Sequence, residues 1–207
     1  ALATEDAYGY NVAIGSYALL NQNAADNAFN VAVGYSAGTN VTTGVRTVLV
    51  GGSAGDALTT GSDNVAVGHA ALGTENTGQK NTAVGSYALA GMDFDGDGDN
   101  TAVGFNAGLS ITSGIQCTLL GSRAGDAITN GHYNVAIGAY ALSTEDSGKG
   151  NVAIGREALK VQDSGADAYN VCVGYQTGVA VSTGLQNTIL GGKAGDALTT
   201  GDNNIII

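Results

Sequence analysis

Proline and tryptophan are missing from this chain, methionine occurs once and cysteine twice. Each shortage removes a class of protein. Glycine is abundant at 34 residues, but without proline or a strict every-third-residue period it cannot form a collagen helix. Two cysteines cannot build a multi-bridge disulfide framework. Lysine and arginine number 7 against 18 aspartates and glutamates, a net charge of −11. That balance argues against nucleic acid and anionic membrane as partners. No apolar run approaches the roughly 20 residues of a spanning helix, so membrane insertion is not expected. No segment keeps a 3.6-residue apolar period, which predicts essentially no helix. No nucleophile elbow, phosphate loop or zinc spacing is present, and the chain is not expected to be an enzyme.

What remains is 43% apolar and only 12% charged, a composition for a folded chain and not a disordered one. The sequence opens at Ala1 without an initiator methionine, which fits a processed product or an excised segment.

A repeat decides the fold. Aligned on Asn-(Val/Thr)-x-(Val/Ile/Leu)-Gly, units begin at residues 11, 30, 47, 64, 81, 100, 117, 134, 151, 170, 187 and 204. The steps run 19, 17, 17, 17 and repeat, so four units make a 70-residue block. The blocks are 11–80, 81–150 and 151–207, with 1–10 forming a partial unit. This predicts a single all-β domain over 1–207, a β-solenoid of 12 coils of 17 or 19 residues in three blocks. Coils stacked about 4.8 Å apart give a rod on the order of 55–60 Å long. Glycine follows each strand (Gly15, Gly34, Gly51 and onward) and recurs near each coil's end (Gly44, Gly61, Gly78). Both columns mark places of positive φ or close backbone approach. The Asn column, replaced only by Thr47 and Cys117, predicts a hydrogen-bonded ladder.

Strand alternation in Asn30-Val31-Ala32-Val33-Gly34 separates the valines from Ala32. With the valines filling the solenoid, Ala32 and its counterparts Leu49, Leu119 and Ile189 face outward. A large aliphatic residue recurring there every 70 residues suggests a surface covered by lateral self-association. A locally wider coil holding both sides inside is the alternative.

Asn11-Val12-Ala13-Ile14-Gly15, Asn134-Val135-Ala136-Ile137-Gly138 and Asn81-Thr82-Ala83-Val84-Gly85-Ser86-Tyr87-Ala88-Leu89 resemble the head repeats of trimeric autotransporter adhesins. They are also similar to repeats in some phage tail fibres. The resemblance covers nearly the whole chain. It implies a left-handed parallel β-roll, commonly trimeric, displayed outside the cell or on the virion. The coils here are longer than the typical head repeat, and the sequence carries no coiled-coil stalk or membrane anchor.

Residues 1–6 match 71–76 and 141–146, the second half of a fourth-type coil, and Ile205, Ile206 and Ile207 belong to the first strand of that type. Ala1 and Leu2 of one copy could therefore complete a composite coil with the isoleucines of another, giving a head-to-tail filament. A cut from a longer fibre accounts for the same ends.

Asp93, Asp95, Asp97 and Asp99 alternate along a glycine-rich turn and match the first half of a calcium loop. The twelfth position is Gly104, so the bidentate carboxylate is missing. The equivalent turns hold only Asp26 with Asn27, and Asp163 with Asp167. A solvated acidic turn is the competing account; no cofactor is otherwise required. Asp56, Asp126 and Asp196 read as turn residues binding nearby amides. Cys117 and Cys172, three coils and about 14 Å apart, read as buried small residues beyond disulfide reach. His69 and His132 read as packing or solvent-facing residues. Tyr17, Tyr87 and Tyr140 share one column, and Tyr35 and Tyr175 share another with Phe105. These rings either seal the corners or form contacts with sugars or neighbouring chains. The expected function is a self-assembling structural segment of an extracellular fibre or adhesin. A tail-fibre segment binding host surface glycans is the alternative. A hexapeptide-repeat acyltransferase would need about three hexads per coil, a pattern that each coil breaks.

Overall fold

A computed structural model describes residues 1–3, 9–24 and 27–207. The described chain is all-β, with no helix. Twelve short strands stack in sequence order into one parallel sheet: β1 (Val12–Ile14), β2 (Val31–Val33), β3 (Val48–Val50), β4 (Val65–Val67), β5 (Thr82–Val84), β6 (Thr101–Val103), β7 (Thr118–Leu120), β8 (Val135–Ile137), β9 (Val152–Ile154), β10 (Val171–Val173), β11 (Thr188–Leu190) and β12 (Ile205–Ile206). Each strand pairs in register with the same positions one coil away, Val31 with Val48 and Ala32 with Leu49. The molecule is the β-solenoid that the repeat predicted.

Glycine is required where coils touch through backbone. Gly34 has φ +142°, and a Cβ there would lie 2.4 Å from the carbonyl oxygen of Gly51 in the next coil. The glycine near the coil's end works differently. Gly44 has no positive φ, but its Cβ would come within 2.5 Å of the Gly61 oxygen. Left-handed backbone is instead taken up by residues other than glycine on either side of the strand, Arg46, Tyr133, Tyr87 and Tyr140 among them. The repeat does not reveal these positions, because their side chains vary freely from coil to coil.

The Asn ladder is present and buried. Asn30 Oδ1 accepts from the Thr47 amide at 2.9 Å, and Asn30 Nδ2 donates to the Gly44 oxygen at 2.8 Å. The same two bonds recur at Asn100, to the Cys117 amide and the Gly114 oxygen. Asn30, Asn64, Asn100, Asn134, Asn170 and Asn187 each tie the coil above to the turn that closes their own coil, whereas Asn81 Nδ2 donates to the Gln79 oxygen and Asn151 Nδ2 is buried without a partner.

The sidedness of the strand is the reverse of the expectation. Ala32, Leu49, Leu119 and Ile189 are fully buried and form the core, while the flanking valines face outward. The physical reason is size compensation across the narrow interior. Position 8 of a coil, counting from the Asn as zero, is leucine where neither that coil nor the next has a large strand centre (Leu19, Leu72, Leu89, Leu142, Leu159). It is glycine beside the large strand residues. A Cβ on Gly38 or Gly55 would meet Leu49 at 2.6 or 2.7 Å, and one on Gly108 or Gly125 would meet Leu119 at 2.8 or 2.9 Å. Leu49, Leu119 and Ile189 are thus core residues and present no surface for self-association.

Candidate interaction face

Reversal of the strand moves the surface of interest to its other side. Strand positions 1 and 3 project outward from every coil: Val31 and Val33, Val48 and Val50, Thr118 and Leu120, Val135 and Ile137. Together they make two parallel columns of β-branched and aliphatic side chains running the length of the sheet. Ile14 is 60% exposed and Leu120 47% exposed, with the others between partly buried and exposed. No charged residue interrupts either column. Eleven strand spacings of about 4.8 Å make the face roughly 50 Å long. An apolar strip of that extent is uncommon on a free surface.

Aromatic rows border the strip on both edges. Before the strand stand Tyr10, Phe29, Tyr133 and Tyr169; after it stand Tyr17, Tyr35, Tyr87, Phe105, Tyr140 and Tyr175. All are exposed. Sealing the corners is therefore not their role. Neighbouring coils bring some rings together: Tyr10 stacks on Phe29 at 5.4 Å, Tyr17 meets Tyr35 edge-on at 5.7 Å, and His69 meets Tyr87 at 5.2 Å. Arg123 and Lys160 both lie over the Tyr140 ring, at 5.8 and 5.7 Å, and Arg156 lies over Tyr175 at 5.9 Å. Three further cations are held on the pre-strand edge by carboxylates one coil on: Arg46 with Asp63 at 2.6 Å, Lys80 with Asp97 at 2.5 Å and Lys149 with Asp167 at 3.2 Å.

The side opposite the sheet is polar. A groove of about 500 Å³ crosses it, lined by Asn21, Asn40, Thr42, Thr59, Thr74 and Asn76 with Asp93 at one end. Its hydroxyls serve the stack: Thr42 donates to the Thr59 oxygen at 3.2 Å and Thr74 to the Ala90 oxygen at 2.7 Å. At the acidic turn, Asp97 is engaged by Lys80 and Asp95 accepts from the Thr77 hydroxyl, while Asp93 and Asp99 are exposed. Among the described residues no three metal-ligating side chains come together. The turn's carboxylates are thus separated, each on its own local partner or in solvent. Asp26, in the equivalent turn of the first block, lies outside the described residues.

Buried titratable groups are tied into coil closure. Glu75 and Glu145 are fully buried. Glu75 Oε1 accepts from the Gly78 amide at 2.7 Å, as Glu145 Oε1 does from the Gly148 amide. Burial pushes both carboxyls above the ordinary glutamate range. His132 Nδ1 accepts from the Ile115 amide at 3.1 Å. Ser62 Oγ and Asp202 Oδ1 accept the corresponding bonds in the other blocks, from Val45 and Leu185. Burial first, then Lys149, holds the His132 imidazole below its usual range. Both cysteines are free and buried, their thiols pushed up to about 11 for Cys117 and about 12 for Cys172.

The chain's two ends sit as the repeat implies. The Leu2 amide donates to the Ala18 oxygen at 3.1 Å, as Leu19 does to Ala37, so residues 1–3 occupy the level before β1. Residues 4–8 of that half-coil, including Glu5 and Asp6, lie outside the described residues. Ile206 is partly buried against β11, while Ile205 and Ile207 are 78% and 91% exposed.

Comparison with family models, curated proteins and solved structures finds no match for this chain.

Proposed function

We propose that this chain is a structural segment of an extracellular fibre or adhesin, and that it associates side by side with further copies of itself through the outer face of its sheet. The observation that carries this reading is the pair of uncharged Val/Ile/Leu/Thr columns facing outward along the whole rod. Stacked faces bury side chains at about 10 Å sheet separation. A strip roughly 50 Å long and 10–12 Å wide supplies on the order of 500–600 Å² per copy. Its aromatic borders bring that toward the ~800 Å² per partner of a stable interface. Tyrosine and arginine along the borders are the residue types that interface cores favour. Net charge of −11 keeps the exposed polar sides apart, so association is confined to the uncharged strip.

Electron microscopy of the purified chain tests the reading. Particles wider than one solenoid are expected for the natural sequence, and thin single rods for Ile137→Glu with Leu120→Glu. Thin rods in both samples would remove the case for lateral association. A gain of binding to surface glycans without association would favour a host-recognition role instead.

A further inference from the structure

The corner after β3 is bare where its neighbours carry rings. Gly51, Gly52 and Ser53 turn it, between Tyr35 of the coil before and His69 of the coil after. Tyr35 is backed by Tyr17 at 5.7 Å and His69 by Tyr87 at 5.2 Å, and all four rings are exposed. The backbone does not demand Gly52. Its φ is not positive, and a Cβ there would make only an ordinary contact with the His69 ring, at 3.7 Å. The second block holds Ser122 at the same place. Gly52 therefore leaves a notch open between two aromatic pairs. Asp56, partly buried at the same corner, accepts from the Ser53 hydroxyl and interacts electrostatically with His69.

We propose that this notch binds an organic cation, a methylated ammonium of the choline type. The inference does not depend on lateral association.

The rest of the edge shows what its rings take when a cation is within reach. Arg123 and Lys160 lie over Tyr140, and Arg156 lies over Tyr175. The first block has no such cation. Of the chain's 7 lysines and arginines, Arg46, Lys80 and Lys149 pair with aspartates on the pre-strand edge, and Arg123, Arg156, Lys160 and Lys193 stand on this edge in the later blocks. Ser53 occupies the place of Arg123 and Lys193, with the same left-handed backbone, φ 55° against 57° and 61°. Among the described residues no cation lies over Tyr17, Tyr35 or Tyr87, and none pairs with Asp56. The notch thus offers ring faces and a carboxylate with no positive charge of its own, in a chain of net charge −11.

Width selects among cations. Tyr35 and His69 stand two coils apart, roughly 9.6 Å along the axis. A cation midway is about 4.8 Å from either level, inside the ~6 Å reach of a ring face. A flat guanidinium touching both walls needs them only about 7–8 Å apart. A primary ammonium is compact and strongly hydrated, and gains little between rings and a bare glycine. Methyl groups around a quaternary nitrogen fill the width and carry little water.

Isothermal titration with choline chloride tests the site, with 3,3-dimethylbutan-1-ol as the uncharged molecule of the same shape. The natural chain and the Leu120→Glu with Ile137→Glu variant are measured side by side, because that variant leaves the notch unchanged and removes contacts between copies. Choline is expected to bind both, about tenfold more tightly than the alcohol. Tyr35→Ala should weaken binding about 5- to 30-fold while Tyr35→Phe keeps it. Gly52→Leu, which fills the notch, and Ser53→Arg, which places there the residue that the second block carries, should abolish it with unchanged circular dichroism. Pelleting with phosphatidylcholine vesicles would place the headgroup on a membrane, and binding of choline without pelleting would place it on a soluble ligand; either outcome upholds the site. No binding by either protein, equal binding of choline and the alcohol, or binding that survives both Gly52→Leu and Ser53→Arg would overturn it.

Discussion

Replacing one buried Asn of the ladder separates its two roles. Asn134 Nδ2 donates to the Gly148 oxygen at 2.8 Å and its Oδ1 accepts from the Asn151 amide at 3.0 Å. Asn134→Ala leaves a buried carbonyl and a buried amide without these partners, at about 1–3 kcal/mol each, so a loss of roughly 3 kcal/mol is expected. The next coil provides an internal control. Asn151 Oδ1 accepts from the Asn170 amide at 3.2 Å, but Asn151 Nδ2 is buried without a partner. Asn151→Ala breaks one bond and removes one orphaned donor, so a loss of about 1 kcal/mol is expected. Urea unfolding followed by circular dichroism, at one protein concentration because association raises apparent stability, measures the difference. Equal losses, or a larger loss at Asn151, would refute the assignment of ladder energy to paired bonds.

Three further outcomes follow from the buried and titratable groups. Because folding depresses the His132 pKa, its contribution is fully present above the ordinary imidazole value of about 6.5 and declines as pH falls below it. His132→Ser, the residue type that makes the equivalent bond at Ser62, is expected to flatten that part of a stability–pH profile; an unchanged slope would contradict it. Glu145 has the opposite sign. Its raised pKa means stability is greatest below the ordinary carboxyl range of about 4.3 and declines as pH rises through the folded value. Glu145→Gln should reduce that decline in denaturation measured from pH 4 to 7, and an identical profile would show that the carboxyl is not the source. Thiol titration of the folded chain is expected to find neither cysteine reactive at pH 8, with both appearing in urea, since Cys117 and Cys172 hold their thiols at about 11 and about 12. Rapid labelling without denaturant would show that the core opens locally.

Stacking was legible in the sequence because backbone contact leaves no freedom: only glycine fits where Gly34 approaches Gly51, and only a short donor–acceptor side chain serves the ladder at Asn30. Sidedness was harder. Valine is as reasonable inside a solenoid as outside, and alternation alone separates two faces without naming the inner one. The deciding signal was present at a distance of several residues, in the exchange of Leu19 for Gly38 and Gly55 beside Leu49. That covariation of size belongs to a shared interior and would have placed Leu49, Leu119 and Ile189 in the core. The post-strand aromatic columns were visible, but the pre-strand row of Tyr10, Phe29, Tyr133 and Tyr169 was not read, and the exposure of both depends on left-handed corners at variable residues such as Tyr133 and Tyr140, which no motif marks. The alternating aspartates from Asp93 to Asp99 matched a calcium pattern by spacing, but spacing does not report the local partners, Lys80 for Asp97 and Thr77 for Asp95, that the preceding coil supplies.

Sedimentation equilibrium tests the central claim most directly, comparing the natural chain with a variant carrying Ile14→Glu, Leu120→Glu and Ile137→Glu on the outer columns. A mass at a multiple of 20.4 kDa is expected for the natural chain and 20.4 kDa for the variant, with unchanged circular dichroism in both. A mass of 20.4 kDa for the natural chain, or a multimer that survives the three substitutions, would contradict it.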